Sequence, residues 1–157
     1  RRRKYHPDGD QHQSYIRFLA HELVPFLDQE FPTYQMGSTR ALIGDSLGAT
    51  VSLITALQYP HSFGKVLLQS PYVDEQVLEL VKNFTQTGLV EIYHIIGNQE
   101  TEVKTTNGKI SDFLKPNREL AYIIKSKSFT YFYDEFNGDH TWTYWHPDLK
   151  RALKTMF

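Results

Sequence analysis

The pentapeptide Gly44-Asp45-Ser46-Leu47-Gly48 separates two stretches of different hydrophobic period, and that placement constrains the fold more than any other feature of the chain. Before it, Arg40-Ala41-Leu42-Ile43 is a short apolar run of buried-strand length. After it, Ala49, Leu53, Ala56 and Leu57 recur at helical spacing over Leu47 to Tyr59, and Pro60 ends the helix they predict. A G-x-S-x-G sequence at a strand-to-helix turn is what a nucleophile elbow requires. The tight turn lifts the serine oxygen above the sheet, and the flanking glycines leave room for the helix to pack close to the strand. The Leu47 N–H, at the helix N-terminus, would then face negative charge developing on a carbonyl oxygen. The plainer reading of the same residues is a tight connection in which Ser46 or Asp45 caps the helix.

The rest of the chain continues the alternation. The first ten residues, with Pro7, Gly9 and two aspartates, have loop chemistry. Ile16, Leu19, Leu23, Phe26 and Leu27 predict an amphipathic helix from His12 to Gln29, bent by Pro25. Strands are expected at Lys65 to Gln69, at Leu89 to Ile96 where Gly97 stops the run, and at Phe129 to Phe136. Helices are expected at Asp74 to Asn83, Pro116 to Lys125 and Thr143 to Met156, and a Thr/Asn/Gly loop follows Gly97. Strands alternating with helices at this spacing predict an α/β fold: a mostly parallel sheet with helices on both faces.

Composition narrows the chemistry. A chain of 157 residues, 40% hydrophobic, can bury one core. No apolar run approaches the roughly 20 residues of a membrane span. A formal net charge of −1 supplies no clustered basic excess for nucleic acid. The absence of cysteine removes disulfides, thiolate zinc sites and cysteine nucleophiles. His140 and His146 do not share a helix face, and Asp8-Gly9-Asp10 lacks the spacing of a calcium loop, so no metal and no organic cofactor is expected. Nothing resembles a signal peptide, which makes a cytoplasmic location the expectation.

A serine hydroxyl needs a general base, and the base needs an orienting carboxylate, in the chain order Ser, acid, His for this type of turn. His6, His12 and His21 precede Ser46, His61 follows its helix directly, and His94 lies inside a strand and is expected to face a helix layer. His140 follows Asn137-Gly138-Asp139 after the last strand, where a parallel sheet exposes side chains at its carboxyl end, and is the better base than His146. The loop after the preceding strand, Gly97 to Glu102, offers Glu100 and Glu102; Glu100 is preferred and Glu102 is the alternative acid. Asp134 and Asp139 lie too near His140 in the chain to be more than fallbacks, and Asp45 adjoins the serine.

At these residues the chain resembles the esterase family of α/β-hydrolases, which is similar in fold to siderophore esterases, S-formylglutathione hydrolases, feruloyl esterases and mycolyltransferases. The resemblance covers nearly the whole chain: Glu22 to Phe26, Arg40 to Ala49, Tyr59 to Phe63, Gln69-Ser70-Pro71, Gly97 to Glu100, and Gly138-Asp139-His140-Thr141-Trp142 with Trp145. It implies Ser46 as nucleophile, His140 as general base and acid, Glu100 as orienting acid, and Trp142 and Trp145 beside the site. Leu47 N–H is the expected oxyanion donor, and Trp142 and Tyr144 are expected to border the pocket. The activity implied is hydrolysis of a small-molecule carboxylic ester; the alternatives are an acyltransferase using the same triad and a non-catalytic binding protein. Such hydrolases begin with further strands and a loop carrying a second oxyanion donor, and no segment here corresponds to them. The expectation is therefore a chain lacking the first strands, with Tyr5-His6-Pro7 lining the site. It should show an open sheet edge on the Arg40 to Gly44 side, or a second copy or another chain covering that edge.

Overall fold

Alternation of side chains along the strands divides the interior in two. Val66, Leu68 and Ile92 point to one layer, whereas Leu67, Tyr93 and Ile95 point to the other, and all six are buried. A computed structural model describes residues 1–157. Its main sheet has four strands: β1 (Ala41–Asp45), β2 (Lys65–Gln69), β3 (Glu91–Gly97) and β6 (Thr130–Phe136). They run wholly parallel in the order β1-β2-β3-β6. A small antiparallel hairpin, β4 (Val103–Lys104) with β5 (Ile110–Ser111), stands apart from it.

The first layer is built by α2 (His12–Phe18), α4 (Leu47–Gln58), α5 (Glu75–Asn83) and α6 (Leu114–Lys125). The second is built by α7 (Trp142–Met156), whose Trp145, Ala152 and Met156 cover Leu67, Tyr93 and Ile95. Each fully buried Leu or Ile side chain stabilises this arrangement by about 2 kcal/mol through removal of apolar surface from water. α4 is buried along most of its length, from Ala49 to Leu57, because it lies directly against β1 and β2. α5 is amphipathic and starts where Asp74 accepts a 3.1 Å hydrogen bond from the Val77 N–H. No helix is long and apolar enough to cross a membrane.

Several boundaries differ from the sequence expectation for identifiable reasons. The helix expected over His12 to Gln29 is present as α2, a π-helical turn at Leu19–Leu23, and α3 (Val24–Glu30). Pro25 has no N–H to give to the preceding turn, and the widened turn accommodates it, with Val24 N–H reaching back to the Leu19 carbonyl. Near the start of the chain, expected as loop, Arg2–Tyr5 forms a single helical turn, α1, tied down by an ion pair between Arg3 and Asp10 at 2.6 Å and by His12 Nδ1 on the Lys4 carbonyl. The hairpin falls where the sequence predicts a loop, because two-residue strands carry no hydrophobic period; only Val103 of β4 and β5 is buried. β1 is an edge strand bonded to β2 alone, and Ile43 is 46% exposed there.

Candidate active site

β1 delivers Ser46 to the carboxyl end of the sheet, where it holds φ 51° and ψ −124°. Non-glycine residues avoid that region, so the turn is strained. Gly44 shows what the strain makes room for: a Cβ there would lie 2.2 Å from the Gly48 carbonyl carbon, so strand and helix touch through their backbones. Gly48, by contrast, has open space where a Cβ would stand. Only the first flanking glycine therefore serves the close approach that the sequence attributed to both. The elbow is clamped to the end of β2: the Ser46 N–H donates to the Gln69 carbonyl at 2.9 Å, and the Ser46 carbonyl accepts from the Thr50 N–H at 3.2 Å and the Tyr72 N–H at 3.3 Å. The Ser46 side chain makes no capping bond to α4. Ser46 lines a cavity instead, and the capping alternative does not describe this turn.

The candidate acid, Glu100, is set by the turn that ends β3. Glu100 is buried, and its carboxylate takes three donors: Gly97 N–H at 2.8 Å and Ser70 Oγ at 2.6 Å on Oε1, and His140 Nδ1 at 2.6 Å on Oε2. Three hydrogen bonds offset the desolvation that burial imposes on a carboxylate. The main chain of Glu100 is fixed as well, because its carbonyl accepts from the N–H groups of Phe113 and Leu114 at the start of α6.

His140 arrives from the loop after β6, which is zipped to the acid's loop by Asn98 N–H on the Phe136 carbonyl and Gln99 N–H on the Gly138 carbonyl. Its ring meets Phe113 and Trp145 edge-on, with centroids 4.7 and 4.8 Å away. With Nδ1 engaged by Glu100, Nε2 is the nitrogen left for the cavity. Trp145 completes a ring of contacts, since its Nε1 donates to Ser70 Oγ at 3.0 Å while Ser70 donates to Glu100. Ser70 itself holds φ 48°, a second strained serine at a strand end. The sequence drew Ser70 only as a strand terminus; its position at the carboxyl end of a parallel strand was the available signal.

The cavity holds about 410 Å³. Ser46, Leu47 and His140 line it together with Asp45, Tyr72, Phe113, Trp142 and Trp145, and its rim comes from α1 and the β4–β5 hairpin. A second groove of about 380 Å³ shares Ser46, Leu47 and Trp142 and runs along β1 and α4. His140, with Nδ1 on Glu100, lines one cavity together with Ser46, and these are the residue types that proton abstraction and nucleophilic attack use.

Other candidates lie elsewhere. Glu102 is exposed. Asp134 pairs with Arg151 at 2.6 Å, and Asp139 accepts from Thr141 Oγ1 at 3.0 Å. His146 is exposed on α7. His94 is buried between Tyr131 OH, 2.8 Å from Nδ1, and Asn117 Oδ1, 2.7 Å from Nε2, and burial pushes its pKa down to about 4. Tyr144 does not line the cavity: it stacks on Phe136 at 5.4 Å and covers Gly138. α7 begins at Trp142, so Trp142 and Trp145 share the face at spacing three, and Tyr144 falls on another. Of the expected Tyr5-His6-Pro7 lining, Tyr5 borders the neighbouring groove, His6 is buried beside Tyr72, and Pro7 lines a separate depression. Arg1 and Arg2 line the cavity in their place.

A parallel sheet that presents a strained serine at the β1–α4 turn, with acid and histidine on successive loops, defines an α/β-hydrolase fold. The family model described as "Putative esterase" matches residues 1–156, and the chain belongs to that family. The uncharacterized protein YjcH of Bacillus subtilis (strain 168) is 56% identical over 156 residues, covering 99% of this chain and 65% of that protein. The chain thus spans just under two-thirds of that relative's length. The enterobactin esterase FES from Shigella flexneri superposes with a TM-score of 0.77 at 20% identity, over 92% of this chain and 38% of that one. The S-formylglutathione hydrolase FrmB from Staphylococcus aureus gives 0.67 at 18% identity, over 94% and 61%.

Proposed function

We propose that this chain carries the triad of a serine esterase that hydrolyses a small-molecule carboxylic ester. The observation that supports it best is the 2.6 Å contact of His140 Nδ1 with the buried Glu100 carboxylate, beside a cavity that His140 shares with Ser46. In the first half-reaction His140 Nε2 takes the Ser46 hydroxyl proton as Oγ attacks the ester carbonyl carbon. Glu100 holds the ring in the tautomer that accepts at Nε2 and stabilises the imidazolium that results. The Leu47 N–H, at the start of α4, supplies a donor to the oxyanion. The intermediate collapses as His140 returns the proton to the leaving alcohol, which leaves an acyl group on Ser46. In the second half-reaction water gives its proton to His140 and attacks the acyl carbon, and the carboxylic acid departs with Ser46 restored.

The membership of the chain in an esterase family supports the same reading. The test is hydrolysis of 4-nitrophenyl acetate by the full-length protein and by Ser46→Ala. Loss of at least about a thousandfold in kcat is expected, since the nucleophile carries the covalent step. Equal rates for the two proteins would overturn the assignment.

A further inference from the structure

The cavity that holds Ser46 and His140 is charged in a lopsided way. Arg1, Arg2, Lys104 and Lys109 border it against one carboxylate, Asp45, in a chain whose formal net charge is −1. None of the four cations takes part in an ion pair. Six of the other basic side chains do pair, among them Arg3 with Asp10, Arg40 with Asp28, Arg118 with Glu135 and Arg151 with Asp134.

The backbone that carries the two lysines is held in place. They lie on the β4–β5 hairpin, which follows Glu100 directly and is anchored by buried Val103 against Ile96, Phe113 and Leu114. Its turn is closed by the Thr105 N–H and Oγ1, both 2.8 Å from the Lys109 carbonyl. Gly108 holds φ 79°, which the turn needs and which few other residues adopt. The carboxylates of the same loop are kept off the cavity: Glu102 is exposed outside it, and Asp112 accepts from the Lys115 N–H at the start of α6. Unpaired like charges converging on a concavity focus a field that attracts an anion and is relieved by one.

On the reading that this cavity hydrolyses an ester, we infer that its substrate carries an anionic group, seated between Lys104 and Lys109 of the hairpin and Arg2, with its apolar part against Phe113 and Trp142. The charge acts on binding, so its effect falls on KM and weakens with salt.

The experiment compares matched esters with the full-length protein: 4-nitrophenyl hemisuccinate against 4-nitrophenyl acetate, for an anion on the acyl side, and 4-acetoxybenzoate against phenyl acetate, for an anion on the alcohol side. At least one anionic ester should exceed its neutral partner by about fivefold in kcat/KM at 50 mM NaCl, the size of effect a few partly exposed cations supply. The advantage should shrink at 500 mM NaCl and in the Lys104→Gln/Lys109→Gln double variant, and persist in Lys150→Gln/Lys154→Gln on the exposed face of α7. A second arm needs no turnover: Ser46→Ala is titrated, by tryptophan fluorescence, with N-phenylsuccinamate and with its neutral amide. Tighter binding of the anion, lost in the added hairpin double variant, is expected. Equal treatment of anionic and neutral compounds in both arms overturns the inference and leaves the esterase reading standing. Anion-selective binding without hydrolysis of any ester supports the inference and overturns that reading.

Discussion

Ser70 Oγ lies 2.6 Å from Glu100 Oε1, and the same oxygen accepts the Trp145 indole N–H at 3.0 Å. The Glu100 carboxylate is thereby tied to the end of β2 and to α7, both outside its own loop. A carboxylate that has lost one of two donors on Oε1 has freedom to rotate, and His140 rotates with it.

Ser70→Ala should therefore lower kcat by about tenfold, equivalent to about 1.4 kcal/mol, while KM for 4-nitrophenyl acetate changes little. The kcat-against-KM split distinguishes this positioning role from general destabilisation. A parallel fall in kcat and rise in KM, or no change in either, would contradict it.

The two glycines of the elbow should respond in opposite ways. Gly44→Ala places a Cβ 2.2 Å from backbone that cannot yield, and should cost several kcal/mol or prevent folding. Gly48→Ala meets nothing within 4 Å and replaces a helical glycine, so it should stabilise by up to about 1 kcal/mol. Urea denaturation of the two variants measures the contrast.

The strained turn gives a stability–activity trade-off with a defined sign. Replacing Ser46, at φ 51°, by glycine removes about 1–3 kcal/mol of backbone strain and adds about 1 kcal/mol of unfolded-state entropy. Ser46→Gly should be more stable than the parent by about 1 kcal/mol and inactive, as read by the denaturation midpoint and by ester hydrolysis.

His94 predicts how stability depends on pH. Its pKa in the folded chain is pushed down to about 4 by burial, below the ordinary value of about 6.5 in the unfolded chain. Between those values the unfolded chain binds a proton that the folded chain excludes, so stability falls as pH falls through this window. His6 and His12 are lowered by burial too and act in the same direction. From pH 7 to pH 5 the His94 contribution is a loss of about 2 kcal/mol. His94→Gln should flatten that slope in urea titrations, and an unchanged slope would show that His94 is not the group responsible.

The elbow was legible because three independent local signals coincide at Ser46: an apolar run before it, helical spacing after it and glycine on both sides. Strand β2 matched the apolar run Lys65 to Gln69 end to end, since Gly64 and Ser70-Pro71 bound it. Glu100 could be preferred over Glu102 from its distance to Gly97, but only the folded chain shows why: Glu100 turns inward onto Gly97 and Ser70 while Glu102 stays in solvent. Features made by contacts between distant segments left no local trace. Ser70 acts through residues 30 and 75 positions away. Tyr144 looked equivalent to Trp142 until the helix start fixed which face each occupies. The hairpin bearing Lys104 and Lys109 reads as loop because it is stabilised by its turn and by one buried valine rather than by a period.

Covalent labelling tests most directly whether Ser46 is a nucleophile activated by His140. The full-length protein treated with a fluorophosphonate should gain one adduct by intact mass, located by peptide mapping on the peptide containing Ser46. The adduct should be absent in Ser46→Ala and formed far more slowly in His140→Ala. A folded protein that gains no adduct, or gains it on a serine other than Ser46, would contradict the account.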